Sequence, residues 1–242
     1  MTDSDRGKHT PERVAIVLWA ARMGAITAEA LASRGQVSVA SARGRLLAAA
    51  RAGLLLRHRP LADQPALFSA TAAGIRIAGV RGLQPARVSA ANARHAILCA
   101  QVAAALERLY PDTMVMGERE LRREEHEAGS AVASALLGRA PDGGRLLHRP
   151  DLVIWPDAPG ALPLAVEVEL TVKAPRRLLA ICRAWARCGC VEGVLYLTSA
   201  EVRRPLERAI SAAQGNGRIT LLESDALGLD WSRGTARASH PR

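Results

Sequence analysis

Three carboxylates and a lysine lie close together in the segment HRPDLVIWPDAPGALPLAVEVELTVK, residues 148–173. They are Asp151, Glu167, Glu169 and Lys173, and they occupy two short apolar runs typical of buried strands. Crowding carboxylates in such a place is costly unless a cation compensates them. Two interpretations follow: these residues form the polar faces of ordinary strands, with ion pairs to Arg-rich helices, or they hold a metal ion.

The spacing of the acidic residues favours a shared site. In an extended strand alternate residues share a face, so Glu167, Glu169 and Lys173 are expected to point one way. A Pro/Gly turn joins this strand (162–172) to an antiparallel one, which brings Asp151 beside Glu167. Carboxylate oxygens suit a divalent cation, which polarises a phosphate and lowers the pKa of bound water. Lys173 would then neutralise charge that develops on phosphoryl oxygens.

Helical and extended patterns alternate along the chain around this segment. Hydrophobic periodicity and capping residues predict helices over 11–24, 26–35, 37–55, 91–110, 175–189 and 200–215, with part of 117–138 also helical. Strands are predicted over 54–60, 66–80, 113–117, 148–156, 162–172, 191–199 and 217–224. The pattern indicates an α/β chain, α+β overall. His95, on the helix over 91–110, is interpreted as a packed helix residue rather than a ligand.

The N-terminal part is markedly basic. The chain carries a formal net charge of +10, and residues 1–86 hold 12 Lys/Arg against 5 Asp/Glu. Three helices followed by a basic hairpin is the order of a winged helix-turn-helix, whose third helix enters the major groove. The predicted DNA-binding residues on this helix and the wing are Ser38, Ser41, Arg43, Arg45, Arg57, His58 and Arg59. The alternative is a small helical domain that docks on the rest of the protein and leaves an Arg-rich face in solvent.

Short motifs connect the acidic segment to a known family. Pro150-Asp151, then fifteen residues, then Glu167-Val168-Glu169 resembles the PD-(D/E)xK nuclease signature. More narrowly, HRPDLVI followed by VEVELTVK, behind a winged helix, resembles the replication-relaxation family of plasmid and conjugative-element proteins. The resemblance implies a restriction-endonuclease-like mixed sheet flanked by helices, double-stranded DNA as partner, and Mg²⁺ or Mn²⁺ as cofactor. Other replication or conjugation proteins are further expected partners.

The resemblance also implies roles for individual residues. Asp151 and Glu167 match the metal carboxylates, and Glu118 resembles an additional acidic ligand from an earlier element. Glu169 stands where the family usually has Lys, and Lys173 is a candidate replacement for that Lys. The implied catalytic residues are therefore Asp151, Glu167, Glu169 and Lys173, and the implied metal ligands are Glu118, Asp151 and Glu167.

The sequence thus predicts a DNA-binding protein with four segments. They are a leader (1–10), a winged helix (11–86), a PD-(D/E)xK nuclease-like domain (91–224) and a basic tail (225–242). The expected activity is metal-dependent DNA cleavage or nicking linked to plasmid or mobile-element replication or relaxation. The alternative is a non-catalytic regulator or relaxosome accessory protein with a degenerate nuclease fold. No signal peptide, membrane span or zinc-type Cys pattern stands out, so a cytoplasmic location is expected. The oligomeric state stays open, with a homodimer among the options.

Overall fold

The computed structural model describes residues 9–222, 227 and 229. The predicted leader and tail therefore lie almost entirely outside the described residues. The described chain is mixed α/β, with a five-stranded mixed sheet flanked by helices. None of its described helices is both long enough and apolar enough to cross a membrane.

The N-terminal part consists of three helices, a two-stranded hairpin and a short helix. Polar side chains start the helices, because Thr27 accepts a hydrogen bond from the N–H of Ala30 and Ser38 accepts one from Ser41. Ile26, between the first two helices, forms an antiparallel bridge with Phe68 of the hairpin. The elements are α1 (Pro11–Met23), α2 (Ala28–Gly35), α3 (Val39–Arg51), β1 (Leu55–His58), β2 (Leu67–Ala70) and α4 (Ala72–Ile77).

The remaining elements build the large sheet and the helices against it. They are α5 (Ala90–Leu109), β3 (Thr113–Gly117), α6 (Glu118–Ala128), β4 (Ala135–Arg139), β5 (Arg145–His148), β6 (Leu152–Pro156), β7 (Leu164–Glu169), α7 (Pro175–Ala186), β8 (Gly193–Thr198), α8 (Ala200–Ala212) and β9 (Ile219–Leu222). The sheet order is β3-β6-β7-β8-β9. Strand β6 is antiparallel to both of its neighbours, β3 and β7, whereas β7, β8 and β9 are parallel. Strands β4 and β5 form a separate hairpin.

The central strand β7 is covered on both faces. Val166 and Val168 belong to a buried cluster that includes residues of α1, α2, α3 and α5, whereas Ala165 belongs to a second buried cluster with α7 and α8. Because side chains alternate along a strand, Glu167 and Glu169 lie on the same side as Ala165. Both glutamates are buried, with 4% and 6% of their surface exposed. They do not form a solvated sheet face.

Three predicted strands differ from the observed ones, and one hairpin is additional. The strand predicted over 162–172 ends at Glu169, so Lys173 lies in the connection before α7 rather than on the strand face. The strand predicted over 66–80 ends at Ala70, because the Thr71 side chain caps α4. The hairpin of β4 and β5 was not predicted, and it takes His148 out of the strand that was expected to start there.

Candidate functional site

Three of the four predicted acidic residues, Asp151, Glu167 and Glu169, line one cavity of about 410 Å³ at the end of β7 where α7 follows. Its polar lining consists of Asp151, Glu167, Glu169, Lys173, His95, His148, Arg94, Arg149 and Thr171. The structure thus brings together all four residues predicted as catalytic. It adds two histidines that were not predicted as site residues.

Asp151 links four elements where β6 begins. Its Oδ2 accepts a hydrogen bond of 2.8 Å from the N–H of Val168 on β7, and its Oδ1 lies 3.2 Å from Nε2 of His95 on α5. Its carbonyl accepts a hydrogen bond of 2.9 Å from the N–H of Glu118, the first residue of α6. The hydrogen bond with Asp151 raises the pKa of His95, which favours the charged imidazolium beside this carboxylate.

Glu167 lies deeper, between the sheet and α7. Nε1–H of Trp185 donates a hydrogen bond of 3.1 Å to its Oε1, and Nε2 of His148 lies 2.7 Å from the same oxygen. The rings of His148 and Trp185 meet edge to face with centroids 5.8 Å apart. Burial raises the pKa of Glu167, and the neighbouring His148 opposes that rise. Among the described residues both polar contacts use Oε1, which leaves Oε2 for a ligand.

Glu169 and Lys173 form an ion pair at the mouth of the same cavity. The pair spans the turn between β7 and α7, so Lys173 reaches the site although it is not on the strand. Burial lowers the pKa of Lys173. A lysine held in this way can offer a compact charge, or a proton, to an anion that enters the cavity.

Glu118 lies apart from these residues. It borders a second cavity of about 270 Å³, and His95 and Asp151 form the wall that the two cavities share. Its side chain is 41% exposed and pairs with Arg122. Glu118 therefore reaches Asp151 through its backbone, while its carboxylate does not line the cavity that holds Glu167.

Sequence reasoning missed three residues of the site, namely His95, His148 and Trp185. His148 stands three positions before Asp151 in the HRPD motif, and this proximity was the available signal. His95 was interpreted as a packed helix residue, but it contacts Asp151 from α5. Trp185 comes from α7, and nothing in the local sequence connects it to Glu167.

The predicted DNA-binding residues divide into two groups. Arg43, Arg57 and Arg59 line one groove of about 270 Å³ between α3 and the β1–β2 hairpin, together with Glu29. Ser41 is exposed on α3. This groove therefore gathers cations from the helix and from the hairpin, although they are far apart in sequence.

Several predicted DNA-binding residues already have partners within the protein, and one of them is Arg43 of the groove, which pairs with Glu29 at 3.8 Å. Arg45 pairs with Glu12 at 2.6 Å, and Ser38 caps α3. His58 is half-buried, its Nε2 lies 2.8 Å from Oγ of Ser69, and burial lowers its pKa. Burial thus disfavours the charged form of the His58 ring.

Comparison with protein families, with curated proteins and with solved structures gives no match. The function is therefore inferred from the residues and their geometry.

Proposed function

We propose that this protein binds double-stranded DNA and cleaves or nicks it with a divalent metal ion, Mg²⁺ or Mn²⁺. In this proposal residues 11–86 form a winged helix and residues 91–224 form a nuclease-like domain of PD-(D/E)xK type. The observation that carries the proposal is the convergence of Asp151, Glu167, Glu169 and Lys173 on one cavity. The resemblance to replication-relaxation proteins supports a cytoplasmic role on plasmids or mobile elements.

Carboxylate oxygens such as those of the cavity suit such a metal, although within the described residues Asp151, Glu167 and Glu169 do not form one three-ligand cluster. Asp151 and Glu167 border the same space, and the described contacts of Glu167 leave its Oε2 available. Oxygen ligands of this type are those that Mg²⁺ and Mn²⁺ prefer. When bound, the ion would polarise the phosphate and lower the pKa of water.

The other residues would position the phosphate and manage its charge. Arg94, on α5, borders the cavity and can contact the DNA backbone, whereas Arg149 is paired with the buried Glu125 at 2.8 Å. Lys173 would balance charge on the phosphoryl oxygens, for which it must leave Glu169. His95 and His148 hold Asp151 and Glu167 in place before any metal arrives.

Cleavage is tested by incubating the purified protein with supercoiled plasmid and either Mg²⁺ or Mn²⁺. The wild type is expected to produce nicked or linear DNA, and Asp151→Asn is expected to abolish this. The ion should also raise the melting temperature by roughly 5–10 °C at 100 times its Kd, through binding linkage. Lys173→Arg should keep this stabilisation but lose cleavage, because the planar guanidinium does not replace a compact ammonium. An intact plasmid with both ions would contradict the proposal.

A second candidate function is supported by a specific observation. Each carboxylate of the cavity already has a basic side chain beside it: His95 for Asp151, His148 for Glu167 and Lys173 for Glu169. Such pairing can compensate the buried charges without a metal, which suits a non-catalytic DNA-binding regulator or relaxosome accessory protein. A melting temperature that does not respond to Mg²⁺ or Mn²⁺, combined with intact DNA binding, would favour this candidate.

DNA binding is tested separately at the arginine groove. Replacing Arg43 and Arg57 with Ala should weaken duplex binding and reduce the slope of its salt dependence by about 0.9 for each phosphate that these arginines neutralise, about 2 in all. The matched control is Arg204→Ala with Arg208→Ala, which removes two exposed charges from α8, away from the groove. A double groove variant that binds like the control would contradict the recognition surface.

A further inference from the structure

A histidine, a cysteine and an aspartate meet at the wall between the two cavities. His95 and Cys99 lie four residues apart on α5, so they share one face of the helix. Asp151 approaches them from the start of β6. One ligand atom from each of the three side chains can be chosen so that all lie within 4.8 Å of one another.

We propose that His95, Cys99 and Asp151 form a binding site for a zinc-class divalent ion. This inference does not depend on DNA cleavage or on Mg²⁺ binding. It concerns a different donor set, in which Asp151 is the only member shared with the proposed catalytic residues.

Two of the three distances between ligand atoms are close to those of tetrahedral coordination. Metal–ligand bonds of about 2.3 Å to sulfur and about 2.0–2.2 Å to nitrogen and oxygen place neighbouring ligand atoms about 3.6 Å (S to N) and about 3.4 Å (N to O) apart. Sγ of Cys99 lies 3.7 Å from Nε2 of His95, and that Nε2 lies 3.2 Å from Oδ1 of Asp151. The three groups are therefore close enough to share one ion, although Sγ also lies 3.6 Å from Nδ1 of His95, beside the ring, so the imidazole must turn to aim Nε2 at that ion. On binding, the Cys99 thiol and a protonated His95 would each release a proton to solvent.

The donor chemistry selects the class of metal. A thiolate and an imidazole bind Zn²⁺ or Co²⁺ in preference to Mg²⁺, which takes oxygen ligands and keeps several waters. Three protein ligands leave a fourth position for water or another ligand. The adjoining cavity of about 270 Å³, bordered by Glu118 and Asn92, offers space for it.

The surroundings hold Asp151 in place. The N–H of Val168 fixes Oδ2 of Asp151, so Oδ1 is the oxygen turned to His95. The carbonyl of Asp151 is fixed by the N–H of Glu118. Outer contacts of this kind orient metal ligands and strengthen binding.

The site is tested by adding Co²⁺ to metal-free full-length protein and recording its absorption spectrum. A thiolate ligand gives a sulfur-to-cobalt charge-transfer band in the near ultraviolet, and tetrahedral coordination gives intense visible bands. Zn²⁺ should remove both, whereas excess Mg²⁺ should not. Cys99→Ser should remove the near-ultraviolet band. His95→Gln should weaken Co²⁺ binding by at least about 100-fold, because mutating a residue that only orients a metal ligand already lowers metal affinity by roughly 10–100-fold.

Cys190→Ser is the matched control, because the Sγ atoms of Cys188 and Cys190 lie 3.2 Å apart and could themselves bind Co²⁺. This variant should keep the full spectrum. Bands that survive in Cys99→Ser but vanish in Cys190→Ser would overturn the proposal, as would a wild-type spectrum without a thiolate band or one displaced by Mg²⁺. Circular dichroism verifies that each variant is folded. If Cys99→Ser does not fold, the Co²⁺ affinity of His95→Gln tests the proposal instead.

Discussion

At the scale of one residue, the burial of Glu167 makes the stability of the protein depend on pH. Its carboxylate is 4% exposed, and burial raises its pKa above the ordinary value of 4.5. The folded state therefore binds this proton more tightly than the unfolded chain does. The associated stability is fully present below the unfolded pKa and is lost as the pH rises through the folded pKa.

Glu167→Gln should remove this loss. Without metal, the melting temperature of the variant minus that of the wild type should increase as the pH rises from about 4 to about 7. A difference of a few degrees is expected, since about 2–4 °C corresponds to each kcal/mol in a chain of this size. Trp185 can still donate to the Gln oxygen, but the contact with His148 loses its charge and moderates the gain.

The exposed Glu192→Gln is the control, and its difference from the wild type should stay flat over the same pH range. If the melting temperature of Glu167→Gln minus that of the wild type decreases with rising pH, the contact with His148 stabilises the charged carboxylate more than burial destabilises it.

The acidic residues were predictable from the sequence because they depend on local order. Strand alternation relates Glu167 to Glu169, and the antiparallel turn brings Asp151 to β7. His95 and Trp185 were not predictable, because they come from helices that pack on opposite faces of the sheet. Only tertiary packing brings His95 to Asp151 and Trp185 to Glu167.

At the scale of elements, strong periodicity predicted the long helices and the sheet strands, whereas the short helix α4 and the β4–β5 hairpin were not predicted. Residues 71–80 alternate like a strand, yet the Thr71 side chain accepts a hydrogen bond from the N–H of Gly74 and starts a helix there. The β4–β5 hairpin carries a register shift at Leu136/Gly138, so its residues lack a regular alternation. Local capping and irregular pairing therefore overrode the pattern.

Two helical glycines give a matched test of the element packing. A Cβ atom on Gly74 of α4 would lie 2.2 Å from the carbonyl oxygen of Leu54, whereas one on Gly44 of α3 would meet nothing within 4 Å. Gly74→Ala should therefore destabilise the protein by about 1–3 kcal/mol through overpacking. Gly44→Ala should stabilise it by about 0.5–1 kcal/mol, because Ala loses less backbone entropy in a helix. Urea unfolding measures both, and equal effects would contradict the packing of α4 against the turn at Leu54.

At the scale of the whole molecule, one buried cluster runs from the N-terminal helices into the sheet. It contains Leu31 of α2, Ala103 of α5 and Val166 of β7. The helix α5 lies between the two predicted domains and contacts both α2 and the strands β3 and β7. The domain boundaries remain a prediction from the sequence, but this shared core indicates that the two parts support each other.

Cutting the chain at the predicted boundary tests that dependence. In a fragment of residues 91–242, the side of α5 that packs against α2 would face water. This side carries alanines and leucines that are buried in the full chain. We expect the fragment to bind a hydrophobic dye and to unfold in urea with a lower midpoint and a shallower slope than the full chain, which should unfold in one transition. A fragment of residues 1–110, which keeps α5 with its N-terminal partners, is the complementary control and should retain helical circular dichroism. If residues 91–242 instead unfold cooperatively at the midpoint of the full chain, the nuclease-like domain is autonomous and α5 belongs to the sheet alone.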